Sequence, residues 1–326
     1  MPTDNSIASC PLVFACDPGY AMPLATTLLS VAQANRRSWP LQIYILACGF
    51  SSNTKAKIAD SLPKGSCVIE WVSADVTAFS GFSTIRHISS ATYARFLMTN
   101  SLPEEISKVL YLDADILVLD DLGTLCETDL GDAVMGAVVD ERVTTHIKMG
   151  NTSLGGLPLP CVQDYFNAGV LLIDLAKWRT ERISQKAIEY LELYPHSAFS
   201  DQDALNFACH CKWKRVPSRW NYYQIDLKKS LSDLSDKQRP GIIHFQGWSK
   251  PWDPGSLNIN ARFYDSFRSR TLFARTLGER WRQVPIVIWA RLKSILRRSG
   301  TVRHLRNRLT WLHSRDESKS ARRVSA

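Results

Sequence analysis

The chain reads as an α/β protein with a mixed, mostly parallel central sheet, followed by a helical, basic tail. Short apolar runs of strand length alternate with helix-like stretches through the first half. Such alternation implies parallel strands joined by crossover helices on both faces of a sheet. The tail follows from where the charge lies. Of 40 Lys and Arg, thirteen fall from Arg280 onward against only Asp316 and Glu317, so the 279 residues before them carry 27 basic and 29 acidic side chains. The overall charge of +9 therefore belongs to an appendage on a near-neutral body. This argues against a nucleic-acid-binding fold charged throughout. The division is drawn as residues 1–270 for the body and 271–326 for the tail.

Taken in order, the first strand is PLVFAC (11–16) and the helix after it LATTLLSVAQANRR (24–37), with Leu24, Leu28, Val31 and Ala32 on one face. LQIYILAC (41–48), a weaker helix near 54–62, CVIEWVSA (67–74), the helix SSATYARFLMTNSL (89–102) and KVLYLD (108–113) continue the alternation. Ligands of such sheets bind beyond the carboxyl ends of the strands. Asp17 and Asp113, ending the first and fourth strands, then share one crevice. The later strands are DAVMGAVVD (132–140), AGVLLIDL (168–175) and PGIIHFQG (240–247), with helices SQKAIEYLELY (184–194) and DQDALNFAC (201–209). Residues 145–164 are rich in Gly and Pro and long enough for a functional loop or lid. There is no internal repeat and no Gly-rich phosphate loop of either familiar type.

At 326 residues the chain can bury a substantial core. Its N-terminus lacks the basic segment and apolar core of a secretory signal. No apolar run approaches the roughly 20 residues that span a bilayer, VPIVIWA (284–290) coming nearest. The eight cysteines show no paired metal spacing, and Cys209-His210-Cys211 has no second cluster to complete a zinc site. They read as buried or free thiols of a reducing compartment, which places the chain in the cytoplasm.

VLYLDADILVLDD (109–121) sets Asp113 and Asp115 in an apolar run. Burying ionised carboxylates without partners costs several kcal/mol, and two such acids repel each other. Residues i and i+2 after a strand point to one side, so both can converge on a single cation. Oxygen ligands favour Mg²⁺ or Mn²⁺, which commonly bridge carboxylates to substrate phosphates. The competing reading is a turn or helix cap, and Asp120 and Asp121 are read that way. IIHFQGWSKPW (242–252) shifts the balance, because His244, Gly247 and Lys250 bring a nitrogen ligand, a flexible turn and a cation into one loop. That set suits a metal-bound diphosphate.

Together with VFACDPGYAMPLATTLLSV, IRHISSATYARF, YFNAGVLLIDLAKWR and SDQDALN, these segments run in order from about residue 12 to 252. In combination they resemble glycosyltransferase family 8, especially bacterial lipooligosaccharide or lipopolysaccharide α-galactosyltransferases and glucosyltransferases. The resemblance implies a single GT-A, Rossmann-like nucleotide-diphospho-sugar transferase domain. It implies Mn²⁺, or Mg²⁺, on Asp113, Asp115 and His244, with Gly247 and Lys250 on the diphosphate. It implies Asp17 on the nucleotide, with Tyr20 among the substrate-binding positions, and Arg95, Asn167, Asp201 and Gln202 along the donor sugar. The chain departs from the family at Gly19, where relatives often carry Asn.

The implied reaction moves a hexose, galactose or glucose, from a UDP-sugar to a hydroxyl of a glycan or lipid-linked oligosaccharide acceptor, with retention. A retaining glycosidase would use a carboxylate nucleophile. The matching residue here is Gln202, a poor one, so the expectation is front-face attack by the acceptor. Asp201 is assigned to sugar hydroxyls or to an N-cap, Arg95 to the sugar or a phosphate or to the solvated surface, and Asn167 to the sugar or to a turn before its strand. In the tail, Ile288, Trp289, Leu292, Ile295 and Leu296 share one helical face, with Arg291, Lys293, Arg297 and Arg298 around it. That pattern suits an anionic membrane surface and a peripheral place on the inner face of the cytoplasmic membrane. The alternatives are a glycogenin-like self-glucosylating transferase, which needs an acceptor tyrosine such as Tyr165 or Tyr194, and a nucleic-acid-binding protein acting through the tail. No nucleic acid partner is expected on the first reading.

Overall fold

The structure, a computed structural model, describes residues 10–82, 89–148 (146–148 as backbone), 164–197, 199–223, 231, 234, 235, 239–247, 250–254, 256, 258–279, 285, 286 and 288. The elements in order are β1 (Leu12–Cys16), α1 (Ala21–Ala34), β2 (Leu41–Ala47), α2 (Ser52–Ala59), β3 (Cys67–Ser73), a 3₁₀ helix (Ser90–Leu97), α3 (Met98–Ser101), β4 (Lys108–Leu112), β5 (Ile116–Val118), α4 (Gly123–Cys126), β6 (Met135–Val139), α5 (Glu141–Lys148), β7 (Phe166–Asp174), α6 (Leu175–Thr180), α7 (Ile183–Leu193), α8 (Asp201–Ala208), β8 (Trp213–Arg215), β9 (Tyr222–Tyr223), β10 (Ile242–His244) and α9 (Ala261–Arg268).

The main sheet has seven strands in the order β3-β2-β1-β4-β7-β6-β8. The pairs β3-β2, β2-β1, β1-β4 and β6-β8 are parallel, while β7 runs antiparallel to both β4 and β6. The sheet is therefore the mixed, mostly parallel one expected. Both faces are covered, as parallel strands require. Leu12 and Phe14 of β1 pack with Leu24, Leu28, Leu110 and Leu112 on one side. Val13 packs with Tyr93, Phe96, Tyr111, Leu171 and Trp178 on the other. From β1 the chain winds outward through β2 to β3, then returns to the far side of β1 as β4. This reversal opens a crevice at the carboxyl ends of β1 and β4.

Two departures from the expected elements matter for the site. The segment 89–102 is not one α-helix but a 3₁₀ helix followed by the short α3. Arg95 Nε donates to the Thr92 carbonyl at 3.0 Å, taking an acceptor that an α-helical ladder would use. The second departure is β7, which begins at Phe166 instead of Ala168 and carries a bulge. Its pairing with β6 jumps from Ala137↔Leu171 to Val138↔Asn167. Bulges of this kind re-aim side chains next to active sites. β5, β8, β9, α4, α5, α6 and α9 were not expected from the sequence, and α5 takes the first four residues of the stretch 145–164 expected as a loop.

A second sheet, β5-β10-β9, joins distant parts of the chain. Ile242, Ile243 and His244 pair antiparallel with Val118, Leu117 and Ile116. That register delivers His244 beside Asp115, whose carbonyl accepts the Phe245 N–H at 3.0 Å. Residues 271–275 lie against the body, with Leu272 N–H on Ser61 Oγ at 3.0 Å and Arg275 on the Trp252 carbonyl at 3.1 Å. Most of the basic tail, and residues 149–163 of the Gly/Pro-rich stretch 145–164, lie outside the described residues. Among the described residues no helix is long and apolar enough to cross a membrane.

Candidate active site

Every site residue singled out in the sequence lines one cavity of about 700 Å³ at the β1/β4 crevice: Asp17, Tyr20, Arg95, Asp113, Asp115, Asn167, Asp201, Gln202, His244, Gly247 and Lys250. Asp17 follows β1 and accepts the Gly19 N–H at 2.8 Å, capping the turn Pro18–Tyr20. Tyr20 stands edge-on to Trp252, ring centroids 6.2 Å apart.

Asp113, Asp115 and His244 offer ligand atoms that lie within 4.8 Å of one another. His244 Nε2 is 3.1 Å from Asp115 Oδ1 and 3.7 Å from Asp113 Oδ2. The other Asp113 oxygen is held from behind, by Arg95 at 2.9 Å and the Tyr111 hydroxyl at 3.1 Å. Two carboxylates and one imidazole nitrogen, each braced by further partners, are a donor set that fits a divalent cation while leaving positions for substrate oxygens. Asp115 Oδ2 meets Lys250 Nζ at 2.5 Å, and that ammonium also donates to the Phe245 carbonyl at 2.7 Å. Burial would raise the Asp115 carboxyl, but Lys250 and His244 override it and hold it well below the usual carboxylate range.

Arg95 is only 4 % exposed, which removes the solvated-surface reading. Its guanidinium bridges Asp113 at 2.9 Å and Asp201 at 3.1 Å, and donates to the Ala168 carbonyl at 2.9 Å. Burial alone would lower its pKa, yet Asp201, Tyr111 and Asp113 raise it above its ordinary value. Asp201 is the first residue of α8, and the N-cap is Ser200, so the capping role considered for Asp201 is not what it does. Burial pushes the Asp201 carboxyl upward, with Arg95 opposing.

Asn167 sits inside β7 instead of in a turn before it. Its Nδ2 donates to Gln202 Oε1 at 2.9 Å, and its Oδ1 accepts the Gly169 N–H at 3.0 Å. Gln202 Oε1 also takes the Ala168 N–H at 3.0 Å. The turn carrying Asp201 and Gln202 is anchored by buried Asp203, which accepts from Tyr165 Oη at 2.5 Å, from Ser197 Oγ and from Phe199 N–H at 2.9 Å. Tyr165 is thus buried and hydrogen-bonded, not presented as an acceptor hydroxyl. Ser200, between these groups, has φ 47°, a strained value for a residue with a side chain.

Sequence reasoning missed Gly169, Asn221 and Gln246. A Cβ on Gly169 would lie 2.2 Å from His244 Cε1 and 2.9 Å from Asp113 Oδ2. The signal was available, since glycine inside a strand marks a close approach. Asn221 and Gln246 contact His244 Nδ1 at 2.9 and 3.2 Å, and a one-dimensional motif gives no hint of that. Gly247 has φ 79°, a conformation that favours glycine. Asp120 and Asp121 are turn residues as expected, the latter accepting the Gly123 N–H at 2.7 Å.

The model of the family described as "Glycosyl transferase family 8" matches residues 11–254. The chain is 28% identical to General stress protein A of Bacillus subtilis over 280 residues, covering 82% of this chain and 95% of that protein. It is 27% identical to Lipopolysaccharide 1,3-galactosyltransferase of Salmonella typhimurium over 74% of this chain and 72% of that one. Among solved structures it is similar to galactosyltransferase LgtC, crystallised with donor and acceptor sugar analogues. The TM-score is 0.69 at 31% identity, covering 83% of this chain and 99% of that one.

Proposed function

Because the chain belongs to glycosyltransferase family 8, we propose that it transfers a hexose, galactose or glucose, from a UDP-sugar to a hydroxyl of a bacterial surface glycan or its lipid-linked precursor, with retention. The observation that carries this reading is the convergence of Asp113, Asp115 and His244 within 4.8 Å, in the same cavity as Arg95, Asp201 and Gln202. The similarity to a lipopolysaccharide galactosyltransferase supports the surface glycan as acceptor.

Asp113, Asp115 and His244 would hold the cation, Mn²⁺ or Mg²⁺. When bound, it neutralises charge on the departing diphosphate as a Lewis acid. Lys250 and the Gly247 amide assist there, placing fixed positive charge and a donor where negative charge develops. Asp17 and Tyr20 take the nucleotide. Asp201, Asn167 and Arg95 orient the sugar, and Arg95 balances the two carboxylates it bridges. Gln202 Oε1 already accepts from Ala168 N–H and Asn167, which leaves it a poor nucleophile. The acceptor oxygen therefore attacks the anomeric carbon on the face the UDP leaves, the C–O bond to UDP breaks, and the hydroxyl proton passes to the departing phosphate oxygen.

The basic tail would hold the enzyme peripherally on the cytoplasmic face of an anionic membrane, as a segment distinct from the catalytic body of residues 1–270. The test is hydrolysis of a panel of UDP-sugars with and without Mn²⁺. Metal-dependent release of UDP from UDP-galactose or UDP-glucose is expected. Absence of metal-dependent turnover of every donor would overturn the assignment.

A further inference from the structure

We infer that Asn221 is a positioning residue that, through Asn167, sets the tautomer of His244 and ties the cation site to the donor-sugar side of the pocket. The metal part of this rests on the function proposed above; the tautomer does not.

Two backbone N–H groups, whose roles cannot be exchanged, fix the orientation of the side-chain amides around them. Where the β7 bulge releases them from the ladder with β6, Ala168 N–H donates to Gln202 Oε1 at 3.0 Å and Gly169 N–H donates to Asn167 Oδ1 at 3.0 Å. An amide nitrogen of the main chain can only donate, so both side-chain atoms must be oxygens. Asn167 then presents its NH₂ to Gln202 at 2.9 Å. Because Asn167 Oδ1 is an acceptor, the Asn221 atom 2.7 Å from it must be the NH₂ nitrogen. That turns Asn221 Oδ1 toward His244 Nδ1 at 2.9 Å. An oxygen acceptor there requires hydrogen on Nδ1, which frees Nε2, 3.1 and 3.7 Å from Asp115 and Asp113, to face a cation held by those carboxylates; without a cation, a further hydrogen on Nε2 would be donated to Asp115. Gln246 presents its amide nitrogen Nε2 3.2 Å from the same Nδ1 and so competes with Asn221 for the opposite tautomer; a hydrogen on Nδ1 requires that terminal amide to be turned with its carbonyl inward, and the Asn221 contact is the shorter of the two.

Asn167, Asn221 and His244 are all buried. Gln202 oxygen, Asn167 amide, Asn221 amide and imidazole form one chain of hydrogen bonds from the sugar side to the metal side. Partners of this kind behind a ligating histidine typically change metal affinity by about 10–100-fold when removed.

The test combines two readouts that need no turnover. In metal-free protein with ¹⁵N-labelled histidine, His244 should carry hydrogen on Nδ1, whether or not Nε2 also carries one toward Asp115, its signals assigned by their loss in His244→Gln. Mn²⁺ binding is followed by electron paramagnetic resonance. Asn221→Ala should weaken it at least about tenfold, and Asn167→Ala should weaken it too, although the hydrogen bonds of Asn167 run to Gln202, Gly169 and Asn221. Asn221→Asp can accept from Nδ1–H but cannot donate to Asn167, so it should keep Mn²⁺ affinity while raising the KM for the sugar donor. A bare Nδ1 in the wild type overturns the inference, whatever the variants do. Unchanged Mn²⁺ affinity in both alanine variants also overturns it. If wild-type protein binds no Mn²⁺, the proposed metal reading falls, and the tautomer alone decides this one.

Discussion

Asp115 and Lys250 pair at 2.5 Å with both side chains about nine-tenths buried, and the two are 135 residues apart in sequence. Removing one member of such a pair strands the other charge, whereas removing both need not. Asp115→Asn should therefore lower the unfolding free energy of metal-free protein by about 3–5 kcal/mol, and Asp115→Asn with Lys250→Met should recover most of it, as urea titration can measure. The Asp115 carboxyl is held below its ordinary range, so its contribution is present above about pH 4 and is lost as pH falls through the folded-state value. The acid limb of the stability curve should be shallower in Asp115→Asn. Gly169→Ala makes a separate case, since its new methyl would meet the His244 ring at 2.2 Å. A cost of about 1–3 kcal/mol is expected from overpacking, together with loss of Mn²⁺ binding in the same resonance assay. The carboxylates, His244 and Lys250 were legible in the sequence because a buried acid needs a partner. Asn221 was not, because an asparagine before a strand looks the same whether or not it faces an imidazole.

At the level of elements, the strands of the first half were readable from their apolar runs, and the 3₁₀ helix and the β7 bulge were not. Local periodicity says nothing about Arg95 taking the Thr92 carbonyl, a competition settled by Asp113 and Asp201 on its other side. The turn into α8 illustrates the same limit. DQDALN gave a helix, but the strained Ser200 is held by Asp203 through Tyr165, Ser197 and Phe199. Asp203→Asn puts an NH₂ against groups that already donate, which costs about 1–3 kcal/mol. It should lower turnover of the sugar donor through Asp201 and Gln202 while leaving Mn²⁺ affinity unchanged. Thermal melting, UDP-sugar hydrolysis and Mn²⁺ titration of one preparation check the three outcomes.

For the whole molecule, the charge asymmetry sets the prediction. Residues 1–279 carry 27 basic and 29 acidic side chains, and residues 271–275 still contact Ser61 and Trp252. A chain ending at residue 279 should fold, hydrolyse the UDP-sugar in solution, and fail to float with anionic vesicles that carry the 326-residue chain. Equal flotation of the two would remove the membrane role given to the tail.

The α/β class, the crevice shared by Asp17 and Asp113, the charge division and the candidate ligands are all legible in the order of the amino acids. Each follows from local rules: periodicity, the cost of a buried charge, and the place where parallel strands end. The folded chain adds that β10 enters beside β5 in the register that sets His244 against Asp115, that Arg95 is a buried bridge, and that side-chain amides from three separate segments link up behind the imidazole. Those outcomes depend on pairing and hydrogen-bond satisfaction between residues far apart in the chain, which no local pattern encodes.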